Sequence, residues 1–176
     1  MRISGDRLGV SMKKRRFKLY LCFSVILAFL IYVLFCSIYK KMKYGPYIEA
    51  SEKFMIERKT NEKYKGFVVN ASPSKSFLRF SGNLAVTQTV MFNVEDGSIL
   101  NDSVDLIIWP RLFGRYETRV QIETADGKGY AFYVDTKMNL IDETSETRMV
   151  YDKYYEVIAH EFQIAHDVFG IYDKRE

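Results

Sequence analysis

The sequence predicts an α+β protein: a single N-terminal transmembrane helix, then a domain with an antiparallel β-sheet flanked by an N-terminal and a C-terminal helix. Three observations support this. Residues 19–38 contain no charge, residues 66–135 combine β-branched and aromatic residues with turn dipeptides, and residues 145–169 carry apolar residues at helical spacing. A chain of 176 residues with 48% apolar content has room for one domain of ordinary size beside the helix.

The apolar run extends from Leu19 to Ile38, and a helix of these twenty residues crosses about 30 Å of hydrocarbon. The alternative is a cleaved signal peptide, but its apolar region usually has about 7–15 residues and precedes a small-residue cleavage site. No such site follows here, and Phe35 is too large for the position before a lipidated cysteine at Cys36. The run therefore predicts a retained membrane anchor.

Positive charge is concentrated around this run. The first 43 residues contain ten Lys and Arg and one Asp, whereas residues 44–176 contain 16 basic and 21 acidic residues. The basic cluster before the run is larger than the one after it, which predicts a cytoplasmic N-terminus and an extracellular C-terminal domain. We expect a basic tail at 1–18, an anchor at 19–38 and an extracytoplasmic domain at 39–176. The acidic balance of the folded part argues against a nucleic-acid partner.

The domain is expected to begin with its own helix. Gly45 and Pro46 are predicted to end the membrane helix, and a second helix would start at Pro46 and run to about Lys63, burying Phe54, Ala50 and Ile48. Six strands are predicted at Gly66–Val69, Phe77–Phe80, Leu84–Val94, Val104–Trp109, Tyr116–Glu123 and Gly129–Asp135. A C-terminal helix is predicted from Ser145 to about Phe169, with Gly170 as its C-cap.

The last two strands allow a prediction of register. A two-residue turn would place Ile122 opposite Ala131 and would mix apolar with polar side chains on each face. A three-residue loop at 125–127 instead pairs Ile122 with Tyr130 and keeps both faces uniform. This loop requires Gly127 to adopt a left-handed conformation.

The sequence offers little for catalysis. Both cysteines, Cys22 and Cys36, lie inside the apolar run, so the domain has no thiol for a disulfide, a nucleophile or a metal. His160 and His166 are six residues apart and face different sides of a helix, whereas a zinc-protease motif needs a spacing of four. No serine has the context of a nucleophile elbow. We therefore predict no enzymatic activity, no metal and no cofactor.

Acidic residues become frequent near the C-terminus. They are Asp142, Glu143, Glu146, Asp152, Glu156, Glu161, Asp167 and Asp173. The favoured interpretation is a solvated helix face, with Glu143 and Glu146 suited to the helix N-terminus. The alternative is an acidic patch that attracts a basic partner.

One face of the predicted sheet has the residue types of a protein-binding site. The alternation that buries the apolar face places on the other face Asp105, Ile107, Trp109, Glu117, Arg119, Gln121, Tyr133 and Asp135. We predict that the partner-binding residues are Trp109, Arg119, Gln121, Tyr133 and Asp135. A helix covering this face would be equally compatible with the pattern.

The loop after Trp109 adds Arg111 and Arg115 as cations beside this face. A role in the core is favoured over a role in binding for its two apolar residues, Leu112 and Phe113.

The segments Ile107–Glu117 and Tyr130–Asp135, together with the basic tail, single span and outer domain, resemble the TipC family of immunity proteins from Gram-positive bacteria. This resemblance implies a membrane-anchored, outward-facing protein that binds and neutralises a secreted protein toxin of the type VII, LXG-type class. It further implies that the toxin acts on cell-wall precursor at the outer membrane surface. The resemblance transfers no binding residue to a particular position.

Two other functions remain open. The main alternative is an accessory or sensor domain of the envelope that binds a membrane protein, a peptide or a cell-wall fragment. A weaker alternative is a hydrolase with a carboxylate pair that the motifs do not reveal.

Overall fold

The computed structural model describes the backbone of residues 5–76, 78–89, 101–111 and 114–172, and the side chains of those from Phe17 onward. It confirms the predicted α+β class. A long N-terminal helix, α1 (Gly5–Glu57), precedes five strands and a C-terminal helix, α2 (Ser145–Phe169). The strands are β1 (Phe67–Pro73), β2 (Gly82–Gln88), β3 (Ser103–Pro110), β4 (Tyr116–Glu123) and β5 (Gly129–Val134). A short 3₁₀ turn at Glu62–Tyr64 follows α1.

The predicted helix break at Tyr44–Pro46 is wrong, because α1 is continuous through Pro46 and ends at Glu57 rather than near Lys63. A proline inside a helix costs about 3 kcal/mol, since it removes one hydrogen bond and crowds the preceding turn. Tyr44 and Phe54 are both buried in the core on either side of it. Burial of an aromatic ring contributes about 1.5–3 kcal/mol, so these contacts offset the cost of the proline.

The five strands form one antiparallel sheet in the order β1-β2-β3-β4-β5, so each strand pairs with its neighbour in the chain. The predicted strand at Phe77–Phe80 is wrong for the residues that the structure describes: Leu78 and Phe80 lie in the connection between β1 and β2, and Phe77 is outside the described residues. The strand predicted from Leu84 to Val94 corresponds to β2, which ends at Gln88. The rest of that prediction, from Val90 onward, lies outside the described residues.

The register predicted for the last hairpin is confirmed. Ile122 pairs with Tyr130 and Val120 pairs with Phe132. The loop has three residues, 125–127, closed by a hydrogen bond from the Thr124 N–H to the Lys128 carbonyl. Gly127 has a φ of 81°, the left-handed conformation that the loop requires.

The C-terminal helix has the predicted bounds. Thr144 caps its N-terminus by a reciprocal arrangement with Thr147, and Gly170, with a φ of 63°, is its C-cap. Glu143 pairs with Arg148 at 2.7 Å beside the first turn. Of the apolar residues at helical spacing, Val150, Tyr154, Ile158 and Ala165 are buried in the core, whereas Val157 and Val168 are only partly buried. The helix also packs into the core through Tyr151, Phe162, Ile164 and Phe169.

Both helices pack against the same side of the sheet. The C-terminal part of α1 contacts β1, α2 contacts β2, β3 and β5, and the two helices contact each other. They cover the inner face, whose buried residues include Val69, Leu84, Val86, Leu106, Ile108, Val120, Ile122, Phe132 and Val134. The core therefore lies between one sheet face and two helices.

Candidate protein-binding face

The second face of the sheet is covered by neither helix. We define this outer face by twelve residues that alternate with the buried ones: Val68, Asn70, Ala85, Thr87, Asp105, Ile107, Trp109, Glu117, Arg119, Gln121, Ala131 and Tyr133. Each is partly or fully exposed in the described part of the chain. The sequence pattern was also compatible with a helix covering this face, but neither of the two described helices does so.

The strand register brings the outer-face residues into rows. One row crosses all five strands as Asn70, Ala85, Ile107, Arg119 and Tyr133. Directly paired residues on one face of an antiparallel sheet have Cβ atoms about 4.5–5.5 Å apart. Three of the five predicted binding residues, Arg119, Gln121 and Tyr133, therefore lie close together. Arg119 pairs with Tyr133, and Gln121 is the next residue on the same face of β4, where it pairs with Asp105.

Trp109 lies at one end of this face, where it pairs with Glu117 across β3 and β4. Glu117 is held by Arg111, whose Nε donates a hydrogen bond to Glu117 Oε2 at 2.9 Å. This ion pair is more than one-third exposed on both sides. It fixes the carboxylate beside the indole without removing either group from solvent.

The central cation of the face is not paired. No carboxylate accepts a hydrogen bond or forms an ion pair with Arg119 among the residues that the structure describes. Asp105 lies in the neighbouring row, where it pairs with Gln121, and it is half-buried. Burial raises the pKa of its carboxyl, and a hydrogen bond with Thr87 partly opposes this increase. A guanidinium and two aromatic side chains thus remain available on a rigid sheet.

Asp135, the fifth predicted binding residue, is engaged in a turn. Its carboxylate accepts hydrogen bonds from the backbone N–H groups of Lys137 (2.8 Å) and Asn139 (2.7 Å) and from the Asn139 amide (2.9 Å). Burial opposes ionisation, but these bonds together lower the pKa of Asp135. The structure therefore brings Trp109, Arg119, Gln121 and Tyr133 onto one face and gives Asp135 a local structural contact.

The sequence favoured a fully solvated acidic face for α2. This is wrong for one of its acidic residues, Glu161. Glu161 is fully buried, and neither carboxylate oxygen makes a hydrogen bond of ordinary geometry within the described part of the chain. Burial, reinforced by Asp105, raises its pKa well above the usual value, and the Gln88 N–H opposes this only in part. The sequence contained the signal, because Glu161 continues the 4-3-4 spacing from Tyr154 through Ile158 to Ala165.

The two histidines have separate environments. His160 is half-buried and packs on Phe67 with ring centroids 4.8 Å apart, while His166 lies 3.3 Å from Asp167. No group of three or more metal-ligating side chains occurs among the described residues. Leu112 and Phe113, for which a core role was favoured, lie outside them.

The chain matches no protein-family model, no curated protein and no solved structure. Fold and face together define an α+β domain that follows a long apolar helix and whose sheet has one face that neither described helix covers. The helix is long and apolar enough to span a membrane, with a mean hydropathy of 2.7 over its most apolar window, of which 6% is buried.

Proposed function

We propose that this chain is a membrane-anchored, extracytoplasmic immunity protein whose outer face binds and neutralises a secreted antibacterial toxin. The observation that carries the proposal is the open outer face, on which Trp109, Arg119 and Tyr133 are held by a rigid sheet and left uncovered by both helices. Trp, Tyr and Arg are the residues most enriched among those that dominate binding energy in protein interfaces.

The anchor fits this function. A toxin that acts at the outer membrane surface is met most effectively by an inhibitor held at that surface, because tethering raises its effective concentration there. The side chains of residues 19–38 are exposed except those of Val33 and the buried Cys36, as expected for a segment surrounded mainly by lipid. The larger cluster of basic residues before the apolar run favours an extracellular domain.

The resemblance to the TipC family supports the finer proposal that the toxin is of the type VII, LXG-type class and acts on cell-wall precursor. The segment Ile107–Glu117 that carries the resemblance contains the second half of β3 and the first two residues of β4. It therefore supplies Trp109 and Glu117 to the outer face.

Rescue of sensitive cells tests the proposal. The proposal predicts that a gene for a secreted toxin lies beside the gene of this chain, and that cells expressing the full chain survive exposure to that toxin. A double variant, Trp109→Ala with Tyr133→Ala, should lose protection while its abundance in the membrane is unchanged. Tyr155→Ala is the matched control, because Tyr155 is a similarly exposed aromatic residue, 45% against 36% for Tyr133, but lies on α2.

Three results would contradict the proposal: protection that survives the double variant, protection that persists when the domain is confined to the cytoplasm, and a C-terminal tag that protease added to intact cells does not remove. A growth defect on deletion in the absence of any toxin would favour the envelope accessory or sensor function instead.

A further inference from the structure

The connection between β1 and β2 reaches back along α1 into the apolar run. We call residues 74–81 the junction loop. The Tyr32 hydroxyl donates a hydrogen bond to the Leu78 carbonyl at 3.2 Å, and the Phe80 ring packs edge-on against Tyr32 and Tyr39 with centroids 5.8 and 5.4 Å away. Tyr32 lies six residues before the end of the apolar run, or about 9 Å along the helix.

This contact sets the depth of the junction loop. If the apolar run spans the hydrocarbon, Leu78 lies about 9 Å before the outer end of that run, because it is held beside Tyr32. Leu78 is 45% exposed, and Lys75 and Arg79 are exposed cations whose long side chains can extend outward to the headgroups. The junction loop therefore lies beside the last turns of the apolar run, at its outer end.

A cavity of about 400 Å³ opens at this junction. Phe35, Tyr39 and Lys43 of α1 line one side, and Phe80 and Arg111 line the other. The three helix residues are spaced by four and so lie along one side of α1, with the rings nearer the apolar run and the ammonium farther out. A lipid has the same order of groups, apolar first and then the phosphate.

The mouth of the cavity is cationic, although the domain as a whole is acidic. Segments 39–46, 74–82 and 110–117 contain seven Lys and Arg and a single Glu. The Lys43 ammonium donates a hydrogen bond to the Pro110 carbonyl at 2.7 Å, which orients it but does not neutralise its charge. Within the described residues, Arg111 is the one cation of these segments with a carboxylate partner, the exposed Glu117.

We propose that this junction cavity is a binding site for an anionic phospholipid of the outer leaflet, with Lys43 and Arg111 on the phosphate and Phe35, Tyr39 and Phe80 against the start of the acyl chains. The proposal rests on the membrane anchoring proposed above and is independent of toxin binding. A soluble phosphate has no acyl chains to contact Phe35, Tyr39 and Phe80, so the aromatic lining favours the lipid.

The test uses the full chain in nanodiscs that contain equal parts of phosphatidylglycerol and phosphatidylcholine. The chain is released from the nanodiscs, and native mass spectrometry identifies the lipid that stays bound to it. We expect the chain to retain phosphatidylglycerol in clear excess. Arg111→Gln should reduce that excess about fivefold, the effect of one basic residue at an anionic surface. Arg115→Gln is the matched control: it removes the same charge four residues away, from a side chain that does not line the cavity.

A second variant, Ser81→Phe, fills the cavity without changing any charge and should also abolish the preference for phosphatidylglycerol; circular dichroism checks that each variant is folded. If Arg111→Gln and Arg115→Gln reduce the excess of phosphatidylglycerol equally, the effect is general attraction to a cationic surface and the proposed site is wrong. The site is also wrong if Ser81→Phe still retains phosphatidylglycerol in excess. Displacement of the lipid by glycerol 1-phosphate would assign the cavity to a soluble phosphate and overturn the lipid proposal.

Alkaline carbonate extraction tests the membrane anchoring separately. If the apolar helix does not anchor the chain, the treatment releases the full chain from membranes. A chain that stays in the membrane and shows no selective retention of phosphatidylglycerol contradicts the lipid site alone.

Discussion

Lys63 and Asp167 are 104 residues apart in the chain and form an ion pair of 2.7 Å between Nζ and Oδ2, which joins the segment after α1 to the last turns of α2. Burial alone would raise the pKa of Asp167, but hydrogen bonds from Lys63, Gln163 and His166 lower it to about 2. A carboxyl whose pKa is lower in the folded state stabilises the fold above its unfolded pKa and loses that effect as the pH falls.

We therefore expect Asp167→Asn to lower the free energy of unfolding by about 1 kcal/mol at pH 7, a value reduced for partial exposure. The difference from the unchanged chain should disappear as the pH approaches 2. Thermal unfolding of the full chain in mild detergent across this pH range measures the effect. Glu62→Gln is the control, because its pair with Lys65 is mostly exposed, and a change of the same size there would contradict the prediction.

The buried Glu161 is expected to weaken the fold at neutral pH. Its folded-state pKa lies well above that of the unfolded chain, so stability should fall as the pH rises from the unfolded value through the folded one. Glu161→Leu removes a buried carboxyl that makes no hydrogen bond of ordinary geometry in the described part of the chain, and it should raise the free energy of unfolding by about 1–3 kcal/mol at pH 7. Glu156→Leu, an exposed position of the same helix, should not do so.

The Glu161 prediction has a second readout. As the pH rises above the unfolded pKa of a glutamate, the loss of stability should be smaller in Glu161→Gln than in the unchanged chain. An equal loss in the two chains would mean that this carboxyl titrates normally in the folded state.

Gly82, the first residue of β2, is packed too closely for any side chain. A Cβ atom there would lie 2.7 Å from the Cα of Pro73, 2.7 Å from the Ser72 carbonyl oxygen and 2.8 Å from the Tyr44 ring. Two of these neighbours are backbone atoms that cannot rotate away, so Gly82→Ala should destabilise the protein by about 1–3 kcal/mol. Chemical unfolding of the full chain measures this effect.

Gly45 provides the control for Gly82. It lies inside α1 with no heavy atom within 4 Å of an added Cβ. Gly45→Ala should stabilise the helix by about 0.5–1 kcal/mol, because alanine loses less conformational freedom than glycine in a helix. Destabilisation at Gly45 similar to that at Gly82 would contradict the steric explanation.

Affinity for the toxin should depend on the aromatic residues of the outer face. Trp109→Ala and Tyr133→Ala are each expected to weaken binding by about 2 kcal/mol or more, the range of residues that dominate interfaces. Calorimetry with the purified full chain measures the change, and Met149→Ala is a control because Met149 is exposed on α2. Unchanged affinity in both variants, with the fold intact, would place the binding site elsewhere.

Local patterns predicted some elements to the residue. The bounds of Tyr116–Glu123, the pairing of Ile122 with Tyr130 and the left-handed Gly127 all follow from alternation and turn chemistry within about twenty residues of chain. The C-terminal helix and its Gly170 cap were predicted for the same reason. Such features depend on neighbours in sequence.

Other features depend on contacts between distant segments. Phe80 was assigned to a strand because its apolar surroundings resemble one, but its contacts are with Tyr32, Phe35 and Tyr39 of α1, which no local pattern contains. The cavity at Lys43 and Arg111 was missed for the same reason, since it exists only where the helix meets the end of β3.

The sequence by itself determined that the chain has an uncharged helix long enough to span a membrane, an antiparallel sheet with one apolar face, and a closing amphipathic helix, because periodicity and turn residues act locally. Only the tertiary structure decided that α1 continues through Pro46, that both helices lie on one side of the sheet, and that Glu161 is buried. These outcomes depend on which apolar surfaces pack together, and the free energy of that packing outweighs the local preferences of a proline or a carboxylate.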